Sequence, residues 1–380
     1  FQTGMEREYG KYTFSVKMPV NGRVVRIVDR YSQTAGYNSI SINPQRIVIY
    51  ENDLTNEIGF IDLPTYCSQH QYFGFEYKQK PGMAKLRPNA TIPEGEIFLD
   101  SPSITADGGY KYGRECEIVY LTDPSVSEDS IKISQSCVEA FKFKIYEVRT
   151  VEWGKHSYPL NLYSDDPNRF QPFPDIGQAI RPDGLLMCLR SYDPAMALAE
   201  QNIYALLKPD FGFDKGTYTA SGGRVVDIRI HHDIHNSSGR TPEGMDEQPL
   251  KYDNARRVFY QSLYDEWRRL YRERGNALRT TPHFHNLIVE AISVVGRNSQ
   301  APQDKINRLY RQAQLDDWHA TFVIEYEITP SIGFKLTGCH GNKGVICKIV
   351  PDHEMPVDDA GNRAEMMMDP LSPWNRMNPG

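Results

Sequence analysis

A chain of 380 residues is long enough for two or three domains with cores of their own. Its 39% hydrophobic and 24% charged content lies in the globular range and excludes wholesale disorder. The balance of 43 basic against 49 acidic residues, −6 overall, argues against a free-standing nucleic-acid coat, although a local basic groove within an assembly remains compatible with it. No apolar run approaches the ~18 residues of a membrane helix, so no membrane association is expected. Six cysteines (Cys67, Cys116, Cys137, Cys188, Cys339 and Cys347) form no C-x-x-C pair. They read as reduced thiols of an intracellular protein, with neither a disulfide framework nor zinc expected. The first residues, FQTGMERE, carry no apolar stretch and no initiator Met, and read as an internal start.

In chain order, the first two thirds read as β-rich. Gly22 to Asp29, Ser41 to Tyr50 and Gly59 to Leu63 are short β-branched runs, and residues 85–121 are punctuated by turn signals such as Arg87-Pro88-Asn89 and Pro93-Glu94-Gly95. That spacing suggests barrels or sandwiches and not repeated βαβ units. From 191 to 250 glycines bracket a single strand, Arg224 to Ile230, which reads as a projecting module. Asp253 to Arg274 carries Phe259, Leu263, Trp267, Leu270 and Tyr271 at helical spacing, with Gly275 placed to end it. Arg268, Arg269, Arg272 and Arg274 on the same span form either a solvated face or a phosphate or partner contact. A second helix is expected from about Gln303 to Leu315. The clearest strand is Ala320 to Ile328, where Phe322, Ile324, Tyr326 and Ile328 alternate with Thr321, Val323, Glu325 and Glu327.

That strand feeds the most informative segment, GFKLTGCHGNKGVICKIV over 333–350. Gly338, Gly341 and Gly344 allow sharp turns and close approach, while Lys335, His340, Lys343 and Lys348 add positive charge. The segment is not a P-loop, which needs Ser or Thr after its Lys and a helix opening there; Gly344 follows Lys343, and Val345 to Val350 reads as a strand. From spacing alone, phosphate binding and a tight structural turn both stand.

The block GFKLTGCHGNKGVICKI, followed by Glu354-Met355-Pro356 and by Asp369-Pro370-Leu371-Ser372-Pro373-Trp374-Asn375-Arg376-Met377-Asn378, resembles the catalytic stretch of the β subunit of multisubunit DNA-directed RNA polymerases. The family pattern is G-D-K-x-x-G-R-H-G-N-K-G, then E-D-M-P, then N-P-L-x-x-P-S-R-M-N. Further similarities lie upstream in the same order: Thr3-Gly4-Met5-Glu6, Gly22 to Asp29, Gly95 to Asp107, and Ser127-Glu128-Asp129-Ser130-Ile131 where the family has F-E-D-S/A-I. Three positions depart from the pattern. Phe334 stands for its Asp, which puts the anchoring of the loop in question; Cys339 stands for its Arg, and Asn375 for its Ser. These departures, with the chain's span, resemble the split β subunits of giant bacteriophage polymerases.

The resemblance implies an α+β, β-rich fold. A hybrid-binding region and the first part of a double-psi β-barrel would span 1–190, an inserted flap-like module with two helices 191–316, and the lysine loop with the rest of the barrel 317–380. It implies that Lys335 and Lys343 touch the RNA 3′ end and nucleotide phosphates, with His340 beside them. Arg376 would hold the outer phosphates, and Glu128 and Asp129 would lie near the second Mg2+ that arrives with the triphosphate. Cations placed around developing charge suit phosphoryl transfer, which asks little covalent chemistry of side chains. The main Mg2+ would be held by a β′-type partner carrying D-F-D-G-D, so this chain would not be active alone. An N-terminal β-type chain, DNA template, RNA, NTPs and a sigma-like factor complete the implied partners. A phage origin would place it in the host cytoplasm during infection, or packaged in the virion. The competing reading is a non-catalytic nucleic-acid-binding or assembly subunit that retains the barrel; a second competitor is an unrelated phosphate-binding enzyme with a similar glycine loop.

Several patterns read as decoys. Asp210 to Gly216 (DFGFDKG) has Gly212 where a metal loop needs its middle carboxylate. His231, His232 and His235, like His283 and His285, read as surface histidines without a cysteine cluster. Asp165 and Asp166 precede Pro167 and read as a turn.

Overall fold

The run Ile47-Val48-Ile49-Tyr50 lacks polar alternation because its strand is covered on both faces. The computed structural model describes residues 4–10, 14–31, 42–70, 73–105, 107–111, 113–154, 157–166, 169–191, 203–232, 245–296, 317–338 and 341–374. In it, Gln45–Asn52 is the middle strand of a five-stranded sheet ordered Arg279–Thr280, Glu57–Pro64, Gln45–Asn52, Gly22–Asp29, Thr91–Ile92. All neighbours are antiparallel except the Arg279–Thr280 edge, which runs parallel. Ile47 and Ile49 enter one core with Phe259, Leu263, Phe284 and Ile288, whereas Val48 and Tyr50 enter another with Met18, Ile92 and Phe98. Val24 and Val28 share the same parity yet lie in different cores. A bulge between Val24 and Arg26 adds one residue and switches the faces.

The helix expected from Asp253 begins earlier, spanning Glu247–Arg274, and gives way at Gly275, whose φ of +54° suits glycine. Phe259, Leu263 and Leu270 are its buried stripe against the sheet. Arg268, Arg269 and Arg272 are exposed and Arg274 half-buried, each with a contact inside the unit: Arg269 pairs with Glu266 and Glu273, Arg274 pairs with Glu51 at 2.8 Å, Arg268 lies over the Tyr264 ring, and Arg272 donates to the Arg268 carbonyl at 3.3 Å. Sequence reading passes over the helix Pro282–Val295. The Thr281 hydroxyl accepts the Phe284 N–H at 3.3 Å, Pro282 opens the first turn, and Phe284, Ile288 and Ala291 are buried. The helix expected near 303–315 lies outside the described residues.

Contacts divide the chain into two compact units, one of Phe14–Asp100 with Tyr146–Tyr326, the other of Phe1–Thr13, Ser101–Ile145 and Glu327–Gly380. These do not follow the segments 1–190, 191–316 and 317–380. Arg224–His232 pairs antiparallel with Trp318–Ile328, and Glu247–Arg274 packs on the five-stranded sheet, so the stretch after 191 is woven into the larger unit. There, Asp227 Oδ2 accepts from Arg30 at 3.0 Å, Tyr66 at 3.0 Å and Arg229 at 3.1 Å, a buried charge shared by three donors. In DFGFDKG, Asp214 takes a bidentate contact from Arg190 at 2.8 and 2.6 Å, and Asp210 caps Gly212 at 3.0 Å. Both carboxylates are committed to the turn. Of the histidines read as surface groups, His283 and His285 are exposed, whereas His231 is buried and His232 stacks on Trp318 at 3.9 Å with its pKa lowered by burial. His235 lies outside the described residues.

Candidate functional site

The smaller unit is organised by a mixed five-stranded sheet in the order Ile118–Tyr120, Met366–Met368, Ser130–Ser134, Lys343–Val350, Lys335–Thr337. Ser130–Ser134 and Lys343–Val350 run parallel, with Ser130 opposite Val345. Parallel pairing puts the two strand starts side by side. Glu128-Asp129 therefore lies beside Lys343-Gly344, despite the length of chain between them. The Val345 N–H donates to the Asp129 carbonyl at 3.1 Å. Gly344 is required here: a Cβ would lie 2.3 Å from that carbonyl oxygen and 2.8 Å from the Ile131 side chain. From a third segment, the Ser372 hydroxyl donates to Asp129 Oδ1 at 2.7 Å, and Leu371 N–H donates to Asp369 Oδ1 at 2.7 Å to hold that turn. Three sequence-distant motifs, SEDSI, GFKLT…NKG and DPLSPW, thus meet at one end of this sheet.

Lys335–Thr337 and Lys343–Val350 form an antiparallel hairpin in which Lys335 opposes Val345 and Thr337 opposes Lys343. Opposed residues share a face, so Lys335 and Lys343 are diagonal neighbours on one face, roughly 7–8 Å apart by strand geometry and somewhat closer at their Cβ atoms. Both are exposed, while Leu336, Gly344 and Ile346 point inward, Leu336 and Ile346 to the core of Ile131, Ile133 and Met368. The turn is tight. Gly338 N–H donates to the Asn342 carbonyl at 2.7 Å, the Thr337 hydroxyl donates to the same oxygen at 3.1 Å, and Gly341 has φ of +85°. Phe334, in place of the family's Asp, leaves the hairpin anchored through backbone. Its N–H donates to the Ser331 carbonyl at 3.0 Å, and its carbonyl accepts from Ile346 at 2.9 Å.

Electrostatically the lysines differ from their neighbours. Lys132 is buried in an ion pair with Asp123 at 3.1 Å. The Ser125 hydroxyl and N–H, with Lys132, hold the Asp123 carboxyl well below the usual carboxylate range. Among the described residues, Arg7, Arg114, Lys132 and Lys142 of this unit form ion pairs, whereas Lys335 and Lys343 form none. Glu128 is exposed and sits at φ of +49°, a left-handed conformation uncommon for a side chain with a Cβ. The Ser127–Ser130 turn imposes it: the Ser130 hydroxyl donates to the Ser127 carbonyl at 2.6 Å and accepts from the Ser127 N–H at 2.7 Å. His340, Cys339, Asn375 and Arg376 lie outside the described residues. Sequence reasoning overlooked Ser372 as a partner of Asp129 and Lys132–Asp123 as a brace; only their place within flanking motif blocks could have pointed to them.

Comparisons with known proteins bear on the same segments. A family model described as RNA polymerase Rpb2, domain 6, matches residues 252–380. A protein of Alkaliphilus metalliredigens named DNA-directed RNA polymerase subunit beta is 32% identical over 305 residues, 80% of this chain and 20% of that protein. Proteins of the same name from Alkaliphilus oremlandii, 24% identical over 80% of this chain and 20% of that protein, and from Wolbachia pipientis, 23% identical over 76% of this chain and 23% of that protein, are also similar. The chain therefore spans about a fifth of the length of the relatives it matches.

Proposed function

We propose, from the premise that this chain belongs to the β-type subunits of multisubunit DNA-directed RNA polymerases and covers one region of them, that it supplies the cationic side of the nucleotide-addition site. The supporting observation is the meeting of Lys335, Lys343, Glu128, Asp129 and Ser372 at one end of a single sheet, with both lysines exposed on one face. Lys335 and Lys343 would bind the RNA 3′ end and the incoming triphosphate, and Arg376 and His340 would extend that cationic surface. Lysine acts as a compact point charge, whereas the planar fork of an arginine binds two oxygens of a terminal phosphate. A preorganised cation needs no reorganisation as charge develops, and losing one such contact lowers a rate about 10²–10³-fold.

The donor set suits only a supporting part in Mg2+ binding. Near the lysines the described residues offer Glu128 and Asp129, and Asp129 already takes the Ser372 hydroxyl. Two adjacent carboxylates fit the vicinity of a second Mg2+ carried in by the triphosphate, where the ion neutralises phosphate charge. The main ion would then be held by a β′-type partner, with DNA, RNA, NTPs, an N-terminal β-type chain and a sigma-like factor as further members of the assembly. The mixed sheet with its parallel Ser130–Ser134 and Lys343–Val350 pair supports reading it as part of a double-psi β-barrel. The departures at Phe334, Cys339 and Asn375 support a split, phage-type subunit, acting in a bacterial host cytoplasm.

Native co-purification of the chain, followed by identification of what accompanies it, tests the assembly; a partner carrying D-F-D-G-D is the expected result. Isolation with unrelated proteins alone would favour a scaffold subunit. In the assembled enzyme, binding to an RNA–DNA scaffold should weaken steeply with salt through counterion release. A flat salt response would count against phosphate contacts.

A further inference from the structure

We propose that Cys116, Cys137 and Glu365 form a binding site for a borderline-soft divalent metal ion, Zn2+ in the first instance, at the opposite motif boundary of the smaller unit. One ligand atom from each of the three lies within 4.8 Å of the others. The two sulfurs are 3.9 Å apart. A tetrahedral ion with Zn–S bonds of about 2.3 Å spreads two thiolates to about 3.8 Å. A disulfide needs about 2.05 Å. The pair is spaced as two ligands of one ion. Two thiolates with one carboxylate suit zinc better than the hard, oxygen-loving Mg2+ or Ca2+.

The surroundings fit as well. Arg114 forms an ion pair with Glu365, so two thiolates, one carboxylate and one guanidinium balance a dication to neutrality. The other carboxylate oxygen of Glu365 accepts the Glu117 N–H at 3.1 Å, which fixes its orientation as outer hydrogen bonds do around metal ligands. Each ligand sits at the edge of a regular element. Cys116 precedes Ile118–Tyr120, Cys137 lies in Gln135–Ala140 with its N–H donated to the Ser134 hydroxyl at 3.2 Å, and Glu365 precedes Met366–Met368. An ion would tie these three together beside the core of Ile131, Ile133 and Met366, leaving its fourth position to water. No cysteine spacing announces the site, because its ligands come from three separate segments.

The test adds Zn2+ or Co2+ to the full chain, in its complex where one forms, after purification under reducing, chelator-washed conditions. One equivalent should bind, and Co2+ should give tetrahedral d–d bands with thiolate-to-cobalt charge transfer. Cys116→Ser, at a position that touches solvent, and Glu365→Gln should each weaken Zn2+ binding about 10–100-fold. Cys188→Ala should leave it unchanged, and circular dichroism would establish that each variant is folded. Absence of a bound equivalent would overturn the proposal. So would equal affinity in Cys116→Ser, a cobalt spectrum without thiolate character, or a Cys116–Cys137 disulfide in the natively isolated chain.

Discussion

The two units use charge in opposite ways. In the larger one, several charged side chains that look available in the sequence are paired within the unit: Asp227 with Arg30, Arg229 and Tyr66, Asp214 with Arg190, and, at the surface, Arg269 with Glu266 and Glu273. In the smaller one, Lys132 is used the same way against Asp123, but Lys335 and Lys343 are exposed on one face of their hairpin and, among the described residues, take part in no ion pair. A cation without an internal partner, on a rigid support, is what binding an external anion requires. Charge content alone therefore does not show which side chains are paired within the fold and which are left facing solvent.

This contrast predicts a ranked set of outcomes. Asp227→Ala strands a buried Arg30, and removing one partner of a buried pair costs about 3–5 kcal/mol; urea unfolding of the larger unit should show the loss. Lys343→Ala should leave unfolding within about 0.5 kcal/mol of the parent while slowing single-nucleotide addition in the assembled enzyme about 10²–10³-fold. An unchanged addition rate would remove Lys343 from the site. Gly344→Ala drives a Cβ into the Asp129 carbonyl, and overpacking of this kind costs about 1–3 kcal/mol; addition should also fall because Asp129 and Lys343 move apart. Ser372→Ala removes one hydrogen bond, about 1 kcal/mol, and should lower the addition rate about fivefold without weakening assembly.

The smallest effect concerns pH. Hydrogen bonds from Ser125 and the charge of Lys132 lower the folded-state pKa of Asp123. Its contribution is fully present above the ordinary carboxylate pKa of about 4 and is lost as pH falls through the lower folded value. The stability difference between the parent and Asp123→Asn should be constant near neutrality and shrink in strong acid. A difference that grows on acidification would reverse the sign.

Local pattern carried part of the way. The alternation over 320–328 and the helical spacing from Phe259 to Leu270 are legible because each element buries one regular face. The helix Pro282–Val295 was not, since Leu287 to Val295 is rich in β-branched residues and only the Thr281 cap and Pro282 betray it. The partner of the strand Arg224–His232 was not legible for a different reason. Arg224–His232 finds its partner in Trp318–Ile328, and no local signal specifies a pairing at that separation. The lysine hairpin was legible through its glycines, because tight turns and close approach restrict composition. The Ser372–Asp129 bond was not, because hydrogen-bond partners from distant segments leave no spacing to read. The same holds for Cys116, Cys137 and Glu365.

One experiment goes straight to the proposed role of the hairpin: affinity labelling of the assembled enzyme with an NTP or RNA 3′ end that carries a lysine-reactive group, with the modified residues mapped by mass spectrometry. Labelling at Lys335 or Lys343, abolished by competing unmodified NTP, is expected. Labelling confined to lysines of the larger unit, or insensitive to competing NTP, would show that Lys335 and Lys343 do not face the reacting nucleotide.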